Sequence, residues 1–434
     1  MKLQKNSKSR KTQTASDSKP KKAPKIRADK ALLHPQSIKE VRRGHPWIIR
    51  DSYTAKFSKI SPFIIGTDKK EEELALLIHD PTHPKIKARV WTFRKPFTDQ
   101  VGLFNGTLRD RIYAAFEKRA VEKYLDNRQN VFLAFGEADF LPGLKILLLK
   151  DIMVFQYESF FWEKYREKLV SFSRKAFEKF YPQIKLKAII REKRESSKSV
   201  HRKFISPKSF RPVKKIVIEE FDVAYEVFFD DLYDLGIYTD MSSIRQRLQG
   251  LFEKSRSVLN LYAYTGAFSL FALRCGAREV VSVDLSPEYL KKLDRNLKLN
   301  KELDPSKHLS VEQDVTKSLD KFCNDKKEFD LIVCDPPTVS SDKKKMTSAL
   351  QKYTSLLPKM AKTLSPDGKM VVILNTHSIK KKKFEEHIKK IISENKVCKG
   401  LVLEKTLGLG GDCPALKIFP EGDYLKVIVL KKEK

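Results

Sequence analysis

At 434 residues the chain is too long for one ordinary core and implies two or three domains. A hydrophobic content of 41% with 27 Phe excludes a disordered protein. The 87 Lys and Arg against 55 Asp and Glu, a formal charge of +32, call for a polyanionic partner, either nucleic acid or an acidic membrane surface. No stretch approaches the roughly 20 apolar residues of a membrane span, and the N-terminus lacks the apolar core of a signal peptide. Cys275, Cys323, Cys334, Cys398 and Cys413 show no CxxC pairing, which argues against a zinc ribbon or a disulfide framework and fits a reducing, cytoplasmic interior.

Residues 1 to about 30 hold eleven Lys or Arg, two Asp and little that is apolar beyond Ile26. Such a segment cannot bury enough surface to fold and reads as a basic tail that adds salt-sensitive affinity for phosphates. Over 35–105, short apolar runs at 47–49, 63–65, 74–78 and 88–91 alternate with turn residues, which predicts a small β-barrel rather than helices. Residues 106–215 predict a small α+β unit, with a helix over 108–128, strands at 131–135, 145–149 and 153–157, and a helix at about 160–180. Within it, 191–215 is polar and strongly basic, either a mobile connection or an RNA-facing hairpin.

The remaining domain, 216–434, changes grammar from about 255 to strand, helix, strand, helix. Strands are predicted at 257–261, 280–283, 308–311, 331–334, 370–374, 399–403 and 425–430, with helices at 265–275, near 346–364 and at 381–395. Another helix starts at Ser286 as cap and Pro287 at its first position, with Leu290, Leu293 and Leu297 as its apolar stripe. Alternation of this kind builds a parallel, doubly wound α/β sheet. The last two strands follow one another without a helix, which suggests an antiparallel hairpin at one edge. That detail favours a class I, Rossmann-like methyltransferase sheet over a dehydrogenase sheet.

Ligands of open α/β sheets sit outside the carboxyl ends of the strands. Asn260-Leu261-Tyr262-Ala263-Tyr264-Thr265-Gly266 leaves the first strand and enters a helix. Gly266 lets the backbone approach a ligand, and N–H groups at the helix start can receive a carboxylate such as that of methionine. Tyr262 or Tyr264 can present a ring to a sulfonium cation or serve only in packing. The absent G-x-G-x-x-G lowers the case for a nicotinamide cofactor. Asp284 ends the second strand, where a carboxylate accepts both ribose hydroxyls, and Asp314 follows the third, within reach of an adenine amine. Asp335-Pro336-Pro337-Thr338 ends the fourth strand. Its prolines remove two donors and stiffen the chain, holding the Asp335 carboxylate and the Pro336 carbonyl beside a planar substrate.

With these residues in place, the chain resembles the bacterial 23S ribosomal RNA methyltransferases that join a PUA-like domain, a small central domain and a class I methyltransferase domain. One relative methylates carbon 5 of a cytosine and another nitrogen 7 of a guanine. The similarity rests on Gly44-His45-Pro46-Trp47-Ile48, on Gly136-Glu137-Ala138-Asp139 with Leu141-Pro142-Gly143-Leu144, on 259–266, on 335–338, and on Phe419-Pro420-Glu421 with Tyr424-Leu425-Lys426. It implies S-adenosylmethionine as cofactor, ribosomal RNA of the large subunit as partner, no metal, and Asp240 and Arg245 as further cofactor-site residues.

The departures are informative. Gly236-Ile237-Tyr238-Thr239-Asp240-Met241-Ser242 keeps Asp240 and Arg245 but loses one of the family's arginines, and Leu374-Asn375-Thr376-His377 replaces the Ser-Cys-Ser of cytosine-modifying members. Carbon 5 of cytosine must be activated by a thiolate, whereas a ring nitrogen or an exocyclic amine needs chiefly correct placement. Nitrogen methylation, with guanine favoured and Asp335, Pro336 and Asn375 as catalytic residues, is therefore the expectation. Thr338, Asn375 and the run 342–346 also look more like the guanine-modifying relatives. Cys334 reads as core, and Cys413 is the one thiol kept as a candidate nucleophile. The rivals are the cytosine carbon-5 chemistry, a nicotinamide-dependent oxidoreductase, and an RNA-binding or assembly factor that keeps the fold without catalysis.

Overall fold

The structure, a computed structural model, describes residues 27–196, 199–230, 234–337 and 346–433. Most of the basic tail, Thr338 and residues 342–345 therefore lie outside the described residues.

The N-terminal unit is a five-stranded sheet of β1 (Ala28–Leu32), β2 (Trp47–Ile49), β3 (Phe63–Thr67), β4 (Glu73–His79) and β5 (Ile86–Thr92), in the order β1-β3-β4-β5-β2. The four apolar runs are its strands β2 to β5. Two features depart from expectation. β1 pairs in parallel with β3, so the unit begins by residue 28 rather than 35, and the last residues assigned to the tail are strand. Its partner lies 35 positions away (Ala28 against Phe63), a pairing that no local pattern announces. Helix α1 (Pro35–Arg42) was also not foreseen. Pro35 at its first turn, His34 accepting the Gln36 N–H at 3.1 Å, and buried Ile38 and Val41 hold it.

The middle unit follows with α2 (Phe97–Gly102), α3 (Phe104–Val121), β6 (Asn130–Phe135), β7 (Leu144–Leu149), β8 (Ile152–Tyr157), α4 (Arg166–Phe180), β9 (Ala188–Ser196) and β10 (Ser199–Ser206). Its sheet runs β10-β9-β8-β7-β6. Helix α3 starts and stops earlier than 108–128, and a short 3-10 turn, Tyr124–Asp126, takes up the remainder. Much of the basic stretch 191–215 forms the antiparallel β9–β10 pair, the hairpin alternative rather than the loose connection.

A separate hairpin, β11 (Lys215–Glu220) with β12 (Val223–Phe228), and helix α5 (Ser242–Phe252) lead into the large sheet. That sheet contains β13 (Ser257–Leu261), β14 (Glu279–Asp284), β15 (His308–Glu312), β16 (Phe329–Cys334), β17 (Leu364–Asn375), β18 (Leu401–Gly408) and β19 (Leu425–Lys432). Helices α6 (Ala267–Arg274), α7 (Pro287–Leu299), α8 (Val315–Asn324), α9 (Met346–Lys362) and α10 (Lys381–Glu394) alternate with them. The order is β15-β14-β13-β16-β17-β19-β18, with β19 inserted antiparallel between β17 and β18. This is the class I methyltransferase arrangement, and the expected edge hairpin is its antiparallel end. Ser286 caps α7, and Leu290, Leu293 and Leu297 are its buried stripe.

The units do not have separate cores. One buried cluster joins Phe63, Ile65 and Trp91 of the first sheet to Phe116, Phe155 and Phe177 of the middle unit. Another joins Phe132, Val154 and Ile190 to Leu270, Leu293 and Val427 around the large sheet.

Candidate functional site

Register places the candidate residues in a row along the carboxyl edge of the large sheet. Leu261 lies opposite both Val283 and Cys334, and Asp284 opposite Glu312. Tyr262, Asp284 and Asp335 therefore leave the sheet as neighbours, with Asp314 two residues beyond β15 and Asn375 at the end of β17. The Asp335 N–H reaches the Leu261 carbonyl at 3.5 Å.

The loop after β13 is strained. Tyr262 (φ 59°) and Tyr264 (φ 51°) are left-handed, a conformation that costs about 1–3 kcal/mol each and persists only where its surroundings enforce it. Here the Ala263 N–H donates to Val283 O at 3.0 Å, the Tyr264 N–H to Asp284 Oδ2 at 2.9 Å, and Thr265 Oγ1 to Gly236 O at 2.6 Å. Alternating left-handed residues create the kind of backbone concavity that accepts an anionic group. At Gly266 (φ 85°) a Cβ would lie 2.4 Å from Leu293 Cγ on α7, so the missing side chain is also needed for helix packing.

Asp284 is fixed by two backbone donors, the Tyr264 N–H and the Ser286 N–H at 2.9 Å to its Oδ1. It ends β14 where a ribose would meet it, with acceptor lone pairs to spare. Asp314 caps α8 through the Thr316 and Lys317 N–H groups at 2.9 and 3.2 Å and is exposed. Tyr262 is half-buried, and Lys352 Nζ stands 5.7 Å from its ring centroid, so a cation already faces that ring.

Three of the expected residues have side-chain partners within the protein. Asn260 is buried and gives its amide to Ser269 Oγ at 2.8 Å, the first link of a chain through Ser282 to His308, so its side chain does not face the cleft. Arg245, 1% exposed, donates from Nε to Glu220 Oε1 at 2.6 Å and from its fork to the Tyr238 carbonyl at 3.4 Å. It is the partner of a buried carboxylate and positions the segment before α5. Tyr264 directs its hydroxyl to Asp234 and packs its ring 5.2 Å from Tyr238 and 4.6 Å from Tyr289, so much of it serves in packing.

Two carboxyl groups, Asp335 and Asp240, interact on the reaction side of the row. Burial, and then the charge of Asp240, push the Asp335 carboxyl up to about 7. Asp240 is in turn held by the Tyr424 hydroxyl at 2.7 Å. Lys426, buried and with its ammonium lowered to about 8 by that burial, donates to the Thr376 carbonyl at 2.5 Å and pins the chain just past Asn375. Sequence reasoning missed Asp234, Tyr238 and Tyr289 as a supporting cluster. It had noticed Tyr424 and Lys426 only as part of a motif, without a role.

No thiol is available there. Cys413 and Cys334 are fully buried, and burial pushes both thiols far up, while Cys275 and Cys398 are raised to about 11 for the same reason. Among the described residues no group of three or more His, Cys, Asp or Glu is placed to hold a metal, and no helix is long and apolar enough to cross a membrane.

Comparison with known proteins bears on the fold and the class of domain. Residues 203–398 match the family of S-adenosylmethionine-dependent methyltransferases. A solved protein from Streptococcus mutans, described as a SAM-dependent methyltransferase, superposes with a TM-score of 0.77 at 20% identity, over 93% of this chain and all of its own. A second, solved with S-adenosylhomocysteine bound, gives 0.78 over the same shares. The match over residues 203–398, together with the strand order, gives the chain an S-adenosylmethionine-dependent methyltransferase domain. Its similarity over nearly the whole length is to the proteins named ribosomal RNA large subunit methyltransferase I. That of Pseudoalteromonas translucida is 29% identical over 91% of this chain and 96% of its own length, and that of an Enterobacter species 29% over 89% and 95%.

Proposed function

We propose that this enzyme methylates large-subunit ribosomal RNA at a base nitrogen, with guanine favoured. The observation that carries the chemistry is the pairing of Asp335, raised to about 7, with a cleft that lacks any accessible thiol. A carboxyl poised there accepts from or donates to a ring edge, and the Pro336 carbonyl and Asn375 amide complete the hydrogen-bonding set. Carbon-5 chemistry on cytosine instead requires a thiolate, and Asn375-Thr376-His377 stands where the family's cytosine enzymes place one. The relatives' names and the charge of +32 support the RNA substrate. A target base stacked in folded RNA must be flipped or already unpaired.

Asp284, the loop 262–266 and Asp314 would hold the cofactor, which supplies an electrophilic methyl group. The protein's own part is to place the acceptor nitrogen in line with that methyl and to exclude water. Asp284→Ala should weaken S-adenosylmethionine binding by ~1.5–3 kcal/mol for each hydroxyl hydrogen bond lost. Calorimetry with an unchanged dissociation constant would remove Asp284 from the cofactor site.

Methyl transfer to unmodified large-subunit rRNA, followed by mass mapping of the product, tests the reading. In RNA carrying 5-fluorocytosine at the candidate position, no stable protein–RNA adduct should form, and Cys413→Ser should keep the wild-type chemical rate. An adduct that disappears in Cys413→Ser would return the enzyme to the cytosine carbon-5 class.

A further inference from the structure

A cavity of about 730 Å³ lies where the three units meet. Its walls come from the first sheet (Trp47, Arg89), the middle unit (Glu137, Tyr157) and the segment before β19 (Phe419, Tyr424). None of the strand-end residues Tyr262, Asp284, Asp335 or Asn375 lines it, yet Tyr424 does, and the Tyr424 hydroxyl is bonded to Asp240 beside Asp335. The cavity thus lies beside the strand-end row, with Tyr424 and His377 on the side that faces it.

Its chemistry suits a nucleobase. The Trp47 and Phe419 rings meet edge to face at 4.5 Å and both line the cavity, an aromatic wall of the kind against which an unstacked base packs. Five Lys or Arg against three Glu line it, a surplus that suits the attached phosphate. Two buried donors have no partner. Arg89, 1% exposed, leaves Nη1 without a hydrogen bond, and so does the hydroxyl of Tyr157, 5% exposed. Buried polar groups are seldom left orphaned, because each costs about the strength of a lost hydrogen bond. The Glu137 carboxylate takes Trp47 Nε1 at 2.8 Å and pairs with Arg89 Nε at 3.3 Å but bonds to neither of these donors, so an acceptor carried by a ligand would satisfy them.

We infer that this three-unit cavity seats a second, unpaired base of the RNA, a neighbour of the methylated nucleotide, with its ring on Trp47 and Phe419 and its acceptor edge toward Arg89 and Tyr157. This rests on the RNA methyltransferase reading above. It makes substrate choice depend on a nucleotide that is not itself modified.

The test uses the full-length protein and an unmodified large-subunit rRNA transcript. Tyr157→Phe removes one hydroxyl without changing shape and should raise the KM for RNA about three- to tenfold while kcat and S-adenosylmethionine affinity stay unchanged. Trp47→Leu should raise it about tenfold or more by removing the stacking surface. Ultraviolet cross-linking should attach a nucleotide other than the methylated one to peptides containing Trp47, Tyr157 or Phe419. Wild-type KM values in both variants, or the methylated nucleotide itself on these peptides, would overturn the assignment and leave the methyltransferase reading standing. Absence of methyl transfer by the wild-type protein would instead defeat that reading, and this inference with it.

Discussion

Asp335→Ala should reduce methyl transfer by about a hundredfold or more, because even a 1 Å misplacement of the acceptor has that order of effect, while S-adenosylmethionine binding changes little. The isosteric Asp335→Asn separates chemistry from folding. The folded protein keeps a proton on Asp335 up to about pH 7, whereas the unfolded chain releases it near 3.8. Between those values the native state binds more protons, so this group's contribution to stability falls as pH rises through the window. Above pH 7 the ionised carboxylate stands half-buried next to Asp240 and opposes folding. Asn removes that penalty. Thermal or denaturant unfolding should therefore show Asp335→Asn more stable than wild type at pH 8 by about 1–2 kcal/mol, the shift being discounted for partial exposure. The two proteins should converge below pH 4. Lost turnover with gained stability marks a residue kept for function. A variant that is both active and destabilised at pH 8 would strip Asp335 of its role.

What could be read from the chain follows the range of the forces involved. The large sheet was legible because each strand and helix carries its own period, and Ser286-Pro287 marks a helix start on chemistry alone. The strand ends followed from topology, which is why Asp284, Asp314, Asp335 and Asn375 fall on one edge. Side-chain direction is another matter. Asn260 and Arg245 sit in the right segments, but burial against Ser269 and Glu220 turns them away from the cleft, and no local pattern encodes those partners. At Gly266 the sequence does not show the packing constraint, since that comes from Leu293 on a later helix. Strand β1 was hidden because its charged, short sequence resembles the tail before it and finds its partner only at β3. The three-unit cavity was invisible for the same reason at larger scale, since its walls are collected from residues 47 to 424.

Asp412→Ala should cost about 3–5 kcal/mol of stability, the range for breaking a buried ion pair on one side. Asp412, 1% exposed, belongs to the segment between β18 and β19, and its partners all belong to the middle unit. Arg128 Nη2 donates to its Oδ1 at 2.6 Å, the Phe132 N–H to its Oδ2 at 2.7 Å, and Arg119 Nη2 to its carbonyl at 2.9 Å. Arg119 also grips Asp139 with two bonds of 2.6 and 2.7 Å, so removing one carboxylate loosens a network that fixes Gly136–Asp139 next to the cavity. Alanine leaves a buried guanidinium and a backbone N–H without acceptors, and that desolvation is the main loss. Below its lowered melting temperature the variant should still bind S-adenosylmethionine, because the loop 262–266 and Asp284 take no support from Asp412. Transfer to RNA should fall, since the middle unit and the large sheet would no longer hold Tyr424 and the cavity in register. The Arg128→Met, Asp412→Leu pair should recover much of the stability, as apolar replacements of buried ion pairs often do. If it recovers RNA methylation to the same degree, the network is a stabilising contact and nothing more. If stability returns and methylation does not, the ion pairs set the geometry between the units.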